Sequence, residues 1–287
     1  MAVSLVTGAS TGIGLATAVA LGRAGYNVYA TMRNPSRAPE LLSTAAREKL
    51  PIKVLPMDVD DDASVRRTFT AAVTDGGHID VLVNNAGISM GGPVEELPLS
   101  EFRKAMETNY FGVLRCIQAV ITGMRERRHG HIVNVSSVGG RLSAPGAGAY
   151  TASKWALEGM SEALAGEVNV FGIRVSIVEP GVIDTPIFDK LRTIPANTRY
   201  SGERRMHALY RASLKNPVSP SLVADKIVGI VQSKTWKLRH LVGPDAEPYL
   251  QYRAAKSDEE WVQMLSVESD REWAAIIKRE FGLDVDL

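Results

Sequence analysis

Sulfur chemistry is almost absent from this sequence: Cys116 is its one cysteine, so no disulfide can form within the chain and a disulfide-stapled scaffold is excluded. Cys116 falls in a helical stretch and reads as a buried thiol, which suits a reducing cytoplasm. An excess of charge of one sign is also missing. The 33 Lys and Arg residues stand against 32 Asp and Glu, for a formal charge of +1, too little to draw nucleic acid or an anionic membrane surface. Small molecules are therefore the expected partners. No run approaches the roughly 20 apolar residues of a membrane span, and the first thirty residues show no basic segment followed by an apolar stretch and a small-residue cleavage site. No membrane span is expected, and the location expected is the cytoplasm.

Apolar residues make up 45% of the 287 and charged ones 23%, enough to fill a core without staples. A single domain over 1–287 is expected, since open α/β sheets reach this size around one core. Short apolar runs alternate with longer amphipathic segments. Strands are predicted at Val3–Thr7, Asn27–Thr31, Lys53–Pro56, Val81–Asn84, His131–Val135, Arg174–Val178 and Arg239–Val242. Helices are predicted at about Ile13–Ala24, Ala38–Lys49, Ala63–Thr74, Glu101–Arg127, Tyr150–Val170 and Ser219–Ser233, with Asp62 and Ser100 as caps for two of them. Most of the strands are unbroken apolar runs, the mark of strands buried on both faces. Helical crossovers between them require a parallel sheet, so the fold class is α/β, a doubly wound parallel sheet of Rossmann type. Ligands in such sheets bind beyond the carboxyl ends of the strands.

Two regions depart from the alternation. Residues 186–217 form a polar insert with seven basic side chains (Lys190, Arg192, Arg199, Arg204, Arg205, Arg211 and Lys215). Its Tyr200, Met206, Leu209 and Tyr210 could lie over a ligand, or it could be a helical surface insertion. Residues 243–287 form a C-terminal extension, read as a helical tail, that carries Trp261 and Trp273.

The first strand runs into Thr7-Gly8-Ala9-Ser10-Thr11-Gly12-Ile13-Gly14, three glycines within seven residues at a strand-to-helix junction. Glycines there let backbone amides approach a pyrophosphate, and the following helix N-terminus favours its charge. The spacing departs from the common G-x-G-x-x-G fingerprint. Gly8, Ser10 and Gly12 also match the G-x-S-x-G elbow of serine hydrolases, with Asp184 and His207 or His240 as nominal partners; that reading leaves Gly14 unexplained. After the second strand, where an acid would bond the ribose hydroxyls of NAD, the chain has Thr31-Met32-Arg33-Asn34. A guanidinium in place of an acid suits the 2′-phosphate of NADP, so NADP(H) is expected over NAD(H).

Tyr150 and Lys154 are four residues apart near the start of a helix, and so share one face. A nearby ammonium stabilises a phenolate and would bring a phenol toward use as an acid or base at neutral pH. Thirteen residues upstream of the tyrosine, Val133-Asn134-Val135-Ser136-Ser137 ends a strand, placing Ser137 where a ligand oxygen would sit. With the glycine loop and Asn84-Asn85-Ala86-Gly87, these residues resemble the short-chain dehydrogenase/reductase superfamily in its single-domain branch. The resemblance covers roughly Val3 to Thr185.

The resemblance implies Tyr150 as general acid in reduction and base in oxidation. It implies that Lys154 lowers the pKa of Tyr150 and bonds the nicotinamide ribose, that Ser137 holds the substrate oxygen, and that Asn109 supports a relay water. It needs no metal. The cofactor residues implied are Gly8, Ser10, Thr11, Gly12, Ile13, Gly14, Arg33, Asp58, Val59, Asn85, Ala86, Gly87, Tyr150, Lys154, Pro180, Gly181, Ile183 and Thr185. Ser136 lacks the family's interval to the tyrosine, and Thr11 stands where many NADP-using members are basic. Asn109 could instead be a polar break in a helix, Asn84 and Asn85 could satisfy backbone groups, and Asp58 could cap a turn. Val138, Gly139, Leu142 and the segment 182–217 would flank the substrate. The run Tyr29–Pro35 and the insert resemble the hydroxysteroid and retinol dehydrogenase subgroup, implying a lipophilic ketone or secondary alcohol, and a homodimer or homotetramer. A non-catalytic dinucleotide-binding sensor remains the third reading.

Overall fold

A computed structural model describes every residue except 192, 193 and 196. Arg192 and the side chain of Lys190, both counted in the insert, lie outside the described residues. Seven strands form one parallel sheet: β1 (Val3–Val6), β2 (Asn27–Met32), β3 (Ile52–Pro56), β4 (Val81–Asn84), β5 (Gly130–Val135), β6 (Ile173–Pro180) and β7 (Arg239–Val242). Their order is β3-β2-β1-β4-β5-β6-β7. The chain runs outward from β1 in one direction and, after β4, in the other, so the crevice lies between the carboxyl ends of β1 and β4.

Alternation along each strand sends side chains to two separate cores. Val3, Leu5, Leu82, Ile132 and Val175 meet α3 (Asp62–Gly76), α5 (Gly112–Arg127) and α6 (Gly148–Val168), while Val6, Val28, Val83, Val133 and Val178 meet α1 (Gly12–Arg23), α2 (Pro39–Glu48) and α8 (Pro220–Gln232). This is the doubly wound arrangement expected. Cys116 is fully buried in the first core, and burial pushes its thiol up to about 12.

Three local expectations fail. Asp61, not Asp62, caps α3, its carboxylate accepting from the amides of Ala63 and Ser64; the residue with extended backbone one place earlier is the one whose side chain reaches them. Ser100 lies inside α4 (Leu99–Met106), whose N-cap Pro98 offers no side-chain bond. The long helix predicted from Glu101 is interrupted by a π-turn at Glu107–Phe111, and wide turns of this kind are frequent at functional sites. It carries Asn109.

Within the insert, α7 (Gly202–Ser213) packs on the tail, which forms α9 (Ala246–Ala254), α10 (Asp258–Leu265) and α11 (Asp270–Phe281). Leu209, Trp273 and Ile277 make a small separate core there with Met206 and Phe281. Arg205 fastens it: the buried guanidinium bonds Asp270 Oδ1 at 2.9 Å, the carbonyls of Val267 and Glu268 at 2.8 and 2.9 Å, and stands 5.8 Å from the Trp273 ring. Arg205→Ala would strand two carbonyls and leave Asp270 with only Arg204 of its two guanidinium partners. The expected cost is about 3 kcal/mol, read as faster proteolysis or amide exchange across 243–287; exchange identical to that of the native protein would refute the anchor.

His131, buried in β5, bonds Ser176 Oγ at 3.0 Å, and burial lowers its pKa from 6.5 to about 4. The unfolded chain therefore binds this proton first as pH falls. Stability contributed by the neutral ring is complete above about pH 6.5 and is lost down to about pH 4, a total near 3 kcal/mol. Urea unfolding at pH 7 and at pH 5 should differ by about 2 kcal/mol more in the native protein than in His131→Asn. Equal pH slopes would exclude His131 as the cause.

Candidate active site

One cavity of about 660 Å³ opens at the carboxyl ends of the strands and is lined by residues from the glycine loop to the tail. The loop owes its shape to two positive-φ glycines, Gly8 at 67° and Gly12 at 56°. Gly14 stands at a close approach, since a Cβ there would lie 2.3 Å from the Gly8 carbonyl oxygen. Thr7 Oγ1 accepts from the amides of Asn85 and Ala86, and Asn85 Nδ2 donates to the Thr7 and Gly8 carbonyls. Asn85 therefore ties the β4 turn to the loop through backbone groups, the role open to it from sequence. Asn84 donates to Asn134 Oδ1 across the strands.

Gly8, Ser10, Thr11, Gly12 and Ile13 face the cavity beside Asn85, Ala86 and Gly87. Gly14 lies behind that surface. Thr185 closes against the loop, 3.1 Å from where a Gly12 Cβ would be, and Pro180, Gly181 and Ile183 also line the wall. At one end are Arg33, Asp58 and Val59. Asp58 accepts from the Asp60 amide, so it does serve the turn as well. Arg37, which sequence reading passed over, joins Arg33 there. Both guanidiniums are exposed, and neither is hydrogen-bonded or ion-paired among the described residues. The signal was available in the short helix Pro35–Arg37, whose turn after β2 is set by the Asn34 cap.

Ser137, Tyr150 and Lys154 converge on the middle of the cavity. Ser137 lies just past β5, its Oγ accepting from the Gly139 amide at 3.1 Å. Ser136 is buried with its hydroxyl unbonded among the described residues. Lys154 Nζ donates to the Val135 carbonyl at 2.9 Å and stands 5.8 Å from the centre of the Tyr150 ring. Burial raises the Tyr150 phenol above its ordinary range, with its hydrogen bond to Ser137 opposing. Burial likewise lowers Lys154 to about 8, with Glu158 opposing. Burial dominates the phenol, and Lys154 Nζ, held toward a backbone carbonyl, is not among the groups that oppose it.

Asn109 does not line the cavity. Fully buried, it bonds the Ile88 amide and carbonyl and Ser153 Oγ at 2.8, 3.0 and 2.9 Å. A Cβ at Gly87 would lie 3.2 Å from Asn109 Oδ1 and 3.8 Å from Lys154 Nζ, so a small space separates the two side chains.

The far end is apolar. Leu142, Met206, Leu209 and Tyr210 meet Tyr249, Trp261, Met264, Leu265, Trp273, Ile277 and Phe281 of the tail. Tyr200 does not take part; it is exposed and bonds Glu95. The tail residues were missed, although Ser257-Asp-Glu-Glu260 and Ser269-Asp-Arg-Glu272 both carry the spacing of a capping box. The first forms one, and Ser269 accepts from the Glu272 amide. No histidine lines the cavity among the described residues, so the hydrolase reading of Ser10 lacks its base, and His240 instead bonds the Lys237 carbonyl. Among the described residues no cluster of His, Cys, Asp and Glu could hold a metal.

Residues 2–195 match the family model described as short chain dehydrogenase. The chain is 37% identical to retinol dehydrogenase 8 of Bos taurus over 265 residues, 87% of this chain and 84% of that one. It is 38% identical to 3-ketodihydrosphingosine reductase of Bacteroides thetaiotaomicron over 248 residues, 84% of this chain and 87% of the relative. A solved short-chain dehydrogenase from Streptomyces avermitilis superposes with a TM-score of 0.81 at 34% identity, over 97% of this chain and 98% of the other.

Proposed function

The chain belongs to the short-chain dehydrogenase/reductase family, and we propose that it is an NADP(H)-dependent enzyme interconverting a lipophilic secondary alcohol and its ketone, with Tyr150 as the general acid and base. The observation that carries this reading is the meeting of Ser137, Tyr150 and Lys154 with the glycine loop in one cavity whose far end is apolar.

The residues fit a nicotinamide dinucleotide. Gly8, Ser10, Thr11, Gly12, Ile13 and the start of α1 would take the pyrophosphate, with Gly14 keeping the backbone close. Arg33 and Arg37 would bind the 2′-phosphate, Asp58 and Val59 would lie near the adenine ring, and Asn85 to Gly87, Lys154, Pro180, Gly181, Ile183 and Thr185 would hold the nicotinamide end. When bound, the cofactor supplies a hydride in reduction or accepts one in oxidation.

The Ser137 hydroxyl donates to the substrate carbonyl oxygen, and Tyr150 passes it a proton as the alcohol forms. The raised pKa of the phenol keeps that proton in place until it is needed. In oxidation Tyr150 removes the proton, and Ser137 and Lys154 offset the cost of the phenolate. Asn109 holds the loop at Ile88, and its Oδ1 faces the small space beside Lys154 that a relay water would occupy.

Leu142, Met206, Leu209 and the aromatic tail favour a long or polycyclic apolar substrate. Retinol and 3-ketodihydrosphingosine, for which two relatives are named, are molecules of that kind. Exposed Phe111 and Trp155, at the head of α5 and on α6, offer apolar surface for a homodimer or homotetramer, to be read by light scattering. No helix among the described residues is long and apolar enough to cross a membrane, and a cytoplasmic location is proposed with the reducing environment that Cys116 suits.

NADPH- and NADH-linked turnover across a panel of ketones and aldehydes tests the reading. Consumption of NADPH with lipophilic ketones, and none with enoyl substrates, supports it; turnover confined to enoyl substrates would overturn it.

A further inference from the structure

The spacing that joins Tyr150 to Lys154 continues along α6. One turn further, Glu158 occupies the same face and is 4% exposed, against 6% for Lys154. No carboxylate is bonded to Lys154 among the described residues; its hydrogen bond goes to a neutral carbonyl. Glu158 Oε2 accepts from Arg239 Nε at 3.0 Å. Its Oε1 has no hydrogen-bond partner among the described residues and sits beside Gly140, where an added Cβ would lie 3.2 Å from it and 2.7 Å from the equally unbonded Ser136 Oγ. Arg239 is shared by three carboxylates: its Nη2 meets Glu162 Oε2 at 2.5 Å and its Nε lies 3.6 Å from Glu179 Oε1. Glu179, 1% exposed, also accepts from Arg141 Nη1 at 3.1 Å.

Charges therefore alternate from the cavity outward through Lys154, Glu158, Arg239, Glu179 and Arg141, with Glu162 at the rim. Three basic groups face three acidic ones. We propose that Glu158 is a positioning residue whose carboxylate favours the charged form of Lys154, and that Arg239, which bonds Glu158 and Glu162, competes for the same carboxylate. The inference rests on the reading of Lys154 as part of an oxidoreductase site.

An ammonium taken out of water with one neutral acceptor sheds its proton readily, and an anion one helical turn away opposes that loss across a medium of low dielectric. The other groups around Lys154 cannot substitute for it. Tyr150, Ser137 and Asn109 are neutral, β5 offers only the Val135 carbonyl, and Glu179 is already divided between two guanidiniums. The directions agree: burial lowers Lys154 to about 8 while Glu158 raises it, and Glu179, raised chiefly by its own burial, is raised further by Glu158.

Lysine side chains labelled with carbon-13 allow Lys154 to be titrated directly by NMR, its signal assigned by its loss in Lys154→Met. In the native protein it is expected to titrate near pH 8, and in Glu158→Gln about one unit lower. Arg239→Gln, which removes the competing positive charge and leaves Glu158 in place, moves it the opposite way, to higher pH. Glu158→Asp keeps the charge and returns the titration toward the native value. The alkaline limb of ketone reduction follows the same shifts. Unchanged titration in Glu158→Gln, or displacement of Glu158→Gln and Arg239→Gln in one direction, overturns the proposal. The NMR titration needs no turnover, so absence of activity in the native protein would count against the proposed function and leave this test intact.

Discussion

Tyr150→Phe is expected to abolish ketone-dependent consumption of NADPH, with kcat falling at least about 10³-fold, while NADPH binds nearly as before. Removing one oxygen leaves the ring packed at the head of α6 and leaves the glycine loop, Arg33 and Arg37 untouched. Ser137 then still reaches the substrate oxygen but has no phenol beside it to complete the proton transfer. The split between lost turnover and retained binding separates an acid–base role from a packing role, because a damaged cavity would weaken both. Cofactor fluorescence measures the binding and absorbance the turnover. Native-like turnover in this variant would remove Tyr150 from the mechanism.

The coenzyme ratio carries the second large effect. Replacing Arg33 with Asp and Arg37 with Ala takes two charge-assisted contacts from a 2′-phosphate and puts in their place a carboxylate suited to ribose hydroxyls. At about 1.5–3 kcal/mol for each lost bond to a charged group, kcat/KM for NADPH over NADH is expected to fall about 10²-fold or more, with most of the change in KM. Arg33→Asp alone should move the ratio part of the way, because Arg37 remains exposed at the same end of the cavity. Thr11 gives the loop no positive charge of its own, so the loop does not compensate for the two arginines. An unaltered ratio in the double variant would mean that the 2′-phosphate is read elsewhere.

The parts of this fold that could be read from sequence are those fixed by local chemistry. Unbroken apolar runs such as Val81–Val83 located the strands, helical crossovers made the sheet parallel, and Gly8, Gly12 and Gly14 marked a turn where two of them, Gly8 and Gly14, stand against backbone. Ser137, Tyr150 and Lys154 were legible because a strand end and a helix face fix each of them in one place. What escaped depends on contacts across the chain. The π-turn at Glu107–Phe111 follows the demands of Asn109, whose amide must reach Ile88 and Ser153, and no helical periodicity announces it. The tail's part in the cavity follows from Arg205 meeting Asp270 and Trp273, some 65 residues away in sequence. Tyr200 and Tyr210 looked alike in the insert, yet only Tyr210, on α7, turns inward. Residue spacing likewise conveys the nearness of an ammonium to the phenol but not the depth of burial that raises it.

Direct transfer from cofactor to substrate is tested most simply with NADPH carrying deuterium at the reactive carbon of its nicotinamide ring. With a long-chain or polycyclic ketone, the product alcohol is expected to contain deuterium at its carbinol carbon, one label for each NADPH consumed, and Tyr150→Phe is expected to yield none. Alcohol formed without the label, or labelled alcohol formed equally well by Tyr150→Phe, would contradict the account.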